Sequence, residues 1–208
     1  KNDGYKLYDT RVVSSTYFDN DNLQMFKDSE EGCAPRKKVR IRSYTRKEHK
    51  VGQSALEVKT SSVEGRYKTS DKNFDLRKIM TNGFFDKDYG VCKPRVRITY
   101  KRDYYKIYKV RLTIDRHIEY IKLNSRGKSV YKIYDPDIVV EIKAEDFVPI
   151  EYLFNKFHFD RIRFSKYSRA INSFLEWLYV WTIFLIICFP FKNQTIWIKD
   201  YPKLSKIS

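Results

Sequence analysis

Between Lys6 and Ala144, apolar residues recur mainly at every second position. That is the period of strands with one apolar face, and it restricts the chain to a mainly β architecture. Lys37–Tyr44 is the clearest run: Val39 and Ile41 share one face, while Arg40, Arg42 and Tyr44 share the other. Further strands are expected over Lys6–Phe18, Ser54–Thr60, Arg95–Tyr105, Tyr108–Tyr120 and Asp137–Ala144. Helical segments are expected around Leu23–Phe26, within Asp71–Phe85 up to the break at Asn82-Gly83, over Pro149–Phe157, and from Ser168 onward. The expected fold is mainly β (α+β): about seven antiparallel strands in hairpin order with short flanking helices. Antiparallel sheets often leave one face to solvent, but here that second face is loaded with Arg, Lys and Glu. If the sheet closes on itself, these charges line a tunnel.

Hydrophobic residues make up 42% of the 208, enough for a core and against wholesale disorder. The net charge is +16, and the segment from Ile171 onward, with four lysines against two acidic residues, supplies little of it. The remaining excess points to an anionic partner: a phosphate ester, polyphosphate, nucleic acid or an acidic membrane surface. Cys33, Cys92 and Cys188 are far apart and form no CxxC pair or Cys/His cluster, so neither zinc nor a disulfide framework is indicated. The glycines form no phosphate-binding loop, and His49, His117 and His158 are scattered.

Arg40 and Arg42 lie two apart on a strand, so both guanidiniums leave one face, each offering a fork that fits phosphate oxygens. The pattern repeats. Glu57 shares a face with Lys59, Tyr100 with Arg102, Arg111 with Thr113 and Asp115, and Glu141 with Lys143. Carboxylates among such cations can hold Mg²⁺ or Mn²⁺. Glu141 is the first candidate and Glu57 the second; the alternative for each is an ion pair with the adjacent lysine. Strict alternation puts Tyr100 and Arg102 on the side of the apolar Val96 and Ile98. A bulge near Thr99, or a change of exposure along the strand, is therefore required.

Seven short segments, in order, resemble those of VTC domains, the polyphosphate-polymerase relatives of the CYTH-like triphosphate tunnel enzymes. They are SSTYFD (Ser14–Asp19), RKKVRIRSY (Arg36–Tyr44), LEVK (Leu56–Lys59), YKR (Tyr100–Arg102), VRLTID (Val110–Asp115), VEIK (Val140–Lys143) and RFSKYSR (Arg163–Arg169). The resemblance spans Tyr5–Ala170. It implies ATP-dependent, metal-dependent synthesis of polyphosphate inside a basic antiparallel barrel. Arg40, Arg42, Lys59, Arg102, Arg111 and Lys166 would be the phosphate-coordinating catalytic cations. Lys68, Tyr100 and Ser165 would make further substrate contacts, and Glu141 would bind Mn²⁺ or Mg²⁺. The family's first strand, with its E-x-K motif, is expected upstream of Lys1, so residues 1–170 read as an N-terminally truncated domain with an open edge.

Residues 171–208 read as a hydrophobic tail. Within it, 174–191 is a candidate membrane segment that would anchor a cytoplasmic domain, with Trp177, Tyr179 and Trp181 as interfacial residues. The expected partners are ATP and polyphosphate. The alternatives are a tunnel-type triphosphatase and a non-catalytic polyanion-binding barrel. Nucleic acid is disfavoured, because the carboxylates in the array repel its backbone.

Overall fold

The computed structural model describes residues 4–45, 54–107, 109–144, 155 and 162–176. The chain divides into two compact units, Lys1–Phe174 and Leu175–Ser208. The second is described only at Leu175 and Glu176.

The first unit is built on nine antiparallel strands: β1 (Gly4–Asp19), β2 (Arg36–Thr45), β3 (Ala55–Ser61), β4 (Arg66–Asp71), β5 (Phe84–Asp86), β6 (Gly90–Ile107), β7 (Val110–Leu123), β8 (Ser129–Asp135) and β9 (Val139–Ala144). Their order is β4-β3-β2-β1-β6-β7-β8. β5 is added to β6, and β9 pairs with the first half of β7. Two helices, α1 (Gln24–Glu31) and α2 (Leu76–Asn82), lie between strands. A third, α3, covers residues 166–176.

All the expected strands are present. β4, β5 and β8 are additional. β4 is exposed throughout and carries no apolar alternation to reveal it, and β5 has only three residues. The helix expected over Pro149–Phe157 lies outside the described residues except for Asn155, which is helical. Among the described residues the two sheet edges, β4 and β8/β9, do not pair with each other. The expected tunnel is therefore an open cleft. The sheet is nonetheless curled, because Lys143 on β9 is close enough to Lys59 on β3 to depress its pKa.

Two apolar clusters hold the sheet. On the inner face, Val13, Tyr17, Val96, Ile98, Tyr100, Ile118 and Tyr120 pack beneath Tyr167, Ala170, Ile171 and Phe174 of α3. These four helix positions follow the three-and-four spacing of one helix stripe, so α3 plugs one end of the cleft. Phe18, Met25, Val39, Ile41, Leu56 and Cys92 form a second cluster, against which Ile79 and Met80 of α2 pack. Asp19, fully buried, accepts bonds from Met25 N and Phe26 N, both 3.0 Å, satisfying free amides at the start of α1. It also accepts from Tyr167 Oη at 2.6 Å, tying α1, β1 and α3 together.

The same inner face changes character along its length. β6 keeps its alternation, so Tyr100 and Arg102 do share a side with Val96 and Ile98. Only the plugged end is covered by α3. The register shift opposite Thr99–Lys101 comes from an extra residue in β7, where His117 takes a φ of 53°. That bulge turns Asp115, Thr113 and Arg111 to the side of Ile118 and Tyr120. Of the two alternatives for this region, the change of exposure on β6 occurs; β6 has no bulge opposite β7 near Thr99, and the extra residue lies in β7 at His117.

Candidate phosphate-binding cleft

Cross-strand register arranges the inner-face residues in rows. Tyr17 is opposite Arg40, and Arg40 opposite Glu57. Lys38 is opposite Lys59, and Lys59 opposite Lys68. Towards the other wall, Arg11 is opposite Arg102 and Arg102 opposite Asp115. In the next row Tyr8, Tyr104, Thr113 and Glu141 follow one another across β1, β6, β7 and β9.

Two carboxylates are consumed in holding cations. Glu57, buried, receives Arg40 Nε at 2.7 Å and Lys68 Nζ at 2.5 Å. Burial alone would raise its pKa, but Arg40 and Lys68 outweigh that and hold it at about 2. The second metal candidate is thus taken by two cations, and its partners are Arg40 and Lys68 rather than the adjacent Lys59. Asp115, fully buried, receives Arg102 through Nε at 2.5 Å and Nη2 at 2.7 Å, and Lys166 Nζ at 2.7 Å. It aims two of the expected phosphate ligands, from β6 and α3, at one volume.

Three other cations have no carboxylate partner among the described residues. Arg42 is half-buried and bonds only neutral hydroxyls, Ser15 Oγ at 3.0 Å and Tyr100 Oη at 3.2 Å. Lys38 Nζ donates to Ser165 Oγ at 2.9 Å. Lys59 is exposed in the open cleft. Desolvation by the cleft walls, then Arg40, Arg42 and Lys143, depress its ammonium pKa. The pKa of Lys38 is also lowered, chiefly by burial. Like charges gathered at this density without carboxylate partners are suited in charge and geometry to a multivalent anion.

The structure places Arg40, Arg42, Lys59, Lys68, Tyr100, Arg102, Lys166 and Glu141 on the inner face of the cleft. Ser165 enters through Lys38, and Arg111 sits exposed at the cleft's open end, opposite Lys143. Sequence reasoning missed Lys38 and Tyr17. Lys38 was available as one more step of the Arg40/Arg42 ladder.

Tyr17 Oη accepts from Arg40 Nη1 at 3.1 Å, and its ring stacks on Tyr167 at 5.1 Å. Burial would raise the phenol's pKa, but Arg40, Arg42 and Lys166 bring it down from 10.0 to about 8. As pH rises through 8, a phenolate forms and one positive charge of the field is cancelled. Triphosphate affinity should therefore fall as pH rises through about 8. Lys38 and Lys59 reinforce the decline at higher pH. The depressed pKa also makes the unliganded fold gain stability from about 8 towards 10, and lose it again as pH falls through 8. Titration calorimetry with tripolyphosphate on the protein and on Tyr17→Phe checks this: the variant's decline should start later, and identical profiles would exclude Tyr17 as the cause.

Glu141 differs from the other carboxylates. Its side chain is 42% exposed, with Lys143 Nζ at 3.2 Å and Arg102 Nη2 at 3.6 Å. Beside it in register, the buried Thr113 hydroxyl has no hydrogen-bond partner among the described residues. No group of three or more His, Cys, Asp or Glu suited to a metal occurs among the described residues. One accessible carboxylate with a free hydroxyl alongside fits a hard divalent ion that takes its other ligands from phosphate and water. It does not fit an all-protein metal cage.

Fold and cleft together define a mainly β domain whose inner face carries a field of cations. The VTC domain model matches residues 2–91 and again 84–175, and the chain belongs to the VTC domain family. The family is associated with polyphosphate-related transferase activity. No curated protein matches the chain. No helix among the described residues is long and apolar enough to cross a membrane. The candidate membrane segment 174–191 lies outside the described residues from 177 onward.

Proposed function

We propose that this chain is an ATP-dependent, divalent-metal-dependent polyphosphate polymerase, transferring the γ-phosphoryl group of ATP to a growing polyphosphate chain. The observation that carries this reading is the inner-face cation field, in which Arg42, Lys38 and Lys59 have no carboxylate partner among the described residues while Arg102 and Lys166 are fixed by Asp115. Phosphoryl transfer needs positioning and charge stabilisation more than covalent chemistry from the protein, and such a field supplies both. Arg40, Arg42, Lys59 and Lys68 bind phosphate oxygens from the β2–β4 wall. Arg102, Arg111 and Lys166 bind them from the opposite side, with Tyr100 and Ser165 orienting Arg42 and Lys38. Glu141 holds Mn²⁺ or Mg²⁺, which when bound neutralises charge on the transferring group.

The test is incubation of the full chain with ATP and Mn²⁺ or Mg²⁺, followed by product analysis. ADP with long-chain polyphosphate is expected. Orthophosphate alone would replace polymerase by triphosphatase, and binding without turnover would leave a polyanion-binding cleft. Arg42→Ala removes a charge-assisted contact worth about 1.5–3 kcal/mol, so tripolyphosphate affinity should drop by roughly one to two orders of magnitude at constant ionic strength. An unchanged dissociation constant in calorimetry would remove Arg42 from the site.

A further inference from the structure

Because α3 closes one end of the cleft with apolar side chains, whatever part of a ligand is not phosphate must extend towards the other end. In that direction the inner face becomes aromatic. Tyr104 lies two residues beyond Arg102 on β6, about 7 Å along the strand and so about the span of a ribose. Tyr8 is its cross-strand neighbour on β1. The two rings meet edge to face, with centroids 5.5 Å apart and planes at 83°. The Arg11 guanidinium lies 4.6 Å from the Tyr8 centroid and 5.5 Å from that of Tyr104. Arg11 is also the cross-strand neighbour of Arg102, so this shelf is continuous with the phosphate-binding rows. Tyr104 is buried, whereas Tyr8 remains 50% exposed although it touches an arginine and a second ring.

We propose that the Tyr8–Arg11–Tyr104 shelf is a nucleobase subsite, taking the base of a nucleoside triphosphate whose phosphates lie in the cation field. The proposal rests on the phosphate-binding reading of the cleft and adds to it which end of the ligand points to the open mouth. Flat aromatic and guanidinium surfaces stack on any base. The subsite therefore favours purines over pyrimidines through stacking area and discriminates weakly between adenine and guanine. Tyr8 acts on the nucleoside alone, so its loss should separate nucleotide binding from phosphate binding.

The experiment is titration calorimetry of the full chain in Mg²⁺ with two probes, a β,γ-imido analogue of ATP and inorganic tripolyphosphate. Tyr8→Ala should weaken the analogue roughly tenfold while moving tripolyphosphate by less than about twofold. Tyr8→Trp should hold the analogue at least as tightly as the unaltered chain, again with tripolyphosphate unmoved. Tyr8 is half-exposed, and matching thermal melts will show that both variants are folded. Equal weakening of both probes, or no effect on the analogue, would overturn the subsite and leave the phosphate reading standing. Failure of the unaltered chain to bind either probe would remove both.

Discussion

Glu141→Gln should abolish polyphosphate formation while leaving tripolyphosphate affinity unchanged or slightly raised. The substitution preserves size and removes one negative charge from the cleft. If the carboxylate serves only as a partner of Lys143 and Arg102, the cost is that of a half-exposed ion pair, about 0–1 kcal/mol, and turnover should hardly change. If it carries the divalent ion, the amide is a much poorer ligand and the transfer step loses its charge neutralisation. Binding of the polyanion, held by the surrounding cations, survives and gains from the lost repulsion. Burial would raise the Glu141 pKa, but Lys143, Arg102 and Lys166 together lower it, so the carboxylate stays ionised to below the usual carboxylate range. Metal-dependent activity should therefore not fail on mild acidification through this group. Turnover by Glu141→Gln at the unaltered rate, with polyphosphate followed by gel electrophoresis, would return Glu141 to the role of ion-pair partner.

The walls of the cleft were legible because each is written as an alternation. Arg40 with Arg42 and Glu57 with Lys59 each announce a shared face within a few residues, and strand pairing keeps that promise. What alternation does not carry is which residues bond to which. Glu57 and Lys59 share a face, yet Glu57 is taken by Arg40 and Lys68 from the neighbouring strands. A lysine two residues away on the same strand competes poorly with an arginine directly across the ladder and a lysine diagonally across it.

The floor was harder to read, because one strand serves two environments. Val96, Ile98, Tyr100 and Arg102 alternate without interruption, and only the position of α3, fixed by contacts from distant Asp19 and Asp115, divides them into core and cleft. The bulge at His117 is likewise invisible to a fixed period, although a polar run interrupting an apolar strand hints at it. β4 was missed because it has no apolar face at all: its contribution is backbone pairing and Lys68.

Asp115→Asn should destabilise the unliganded protein severely and make its stability depend on phosphate. Asp115 is fully buried and accepts from Arg102 twice and from Lys166 once. Removing its charge leaves two largely buried cations with only the more distant, half-exposed Glu141 beside Arg102, a change that costs about 3–5 kcal/mol in comparable buried pairs. For a chain of this size that corresponds to a melting temperature lower by roughly 10 °C. An asparagine keeps only one acceptor oxygen, turns an NH₂ donor towards the cations and cannot offset two charges, so size conservation does not rescue the variant. Bound tripolyphosphate can, because its oxygens supply the missing negative charge to the same guanidinium and ammonium. Saturating tripolyphosphate should therefore raise the melting temperature of Asp115→Asn by more than that of the unaltered chain, since the ligand relieves repulsion as well as binding. Thermal melts of both proteins with and without the ligand measure the difference directly. Equal ligand-induced shifts would mean that Arg102 and Lys166 do not share their phosphate-binding volume with the charge Asp115 supplies, and the description of Asp115 as the residue that aims them would be wrong.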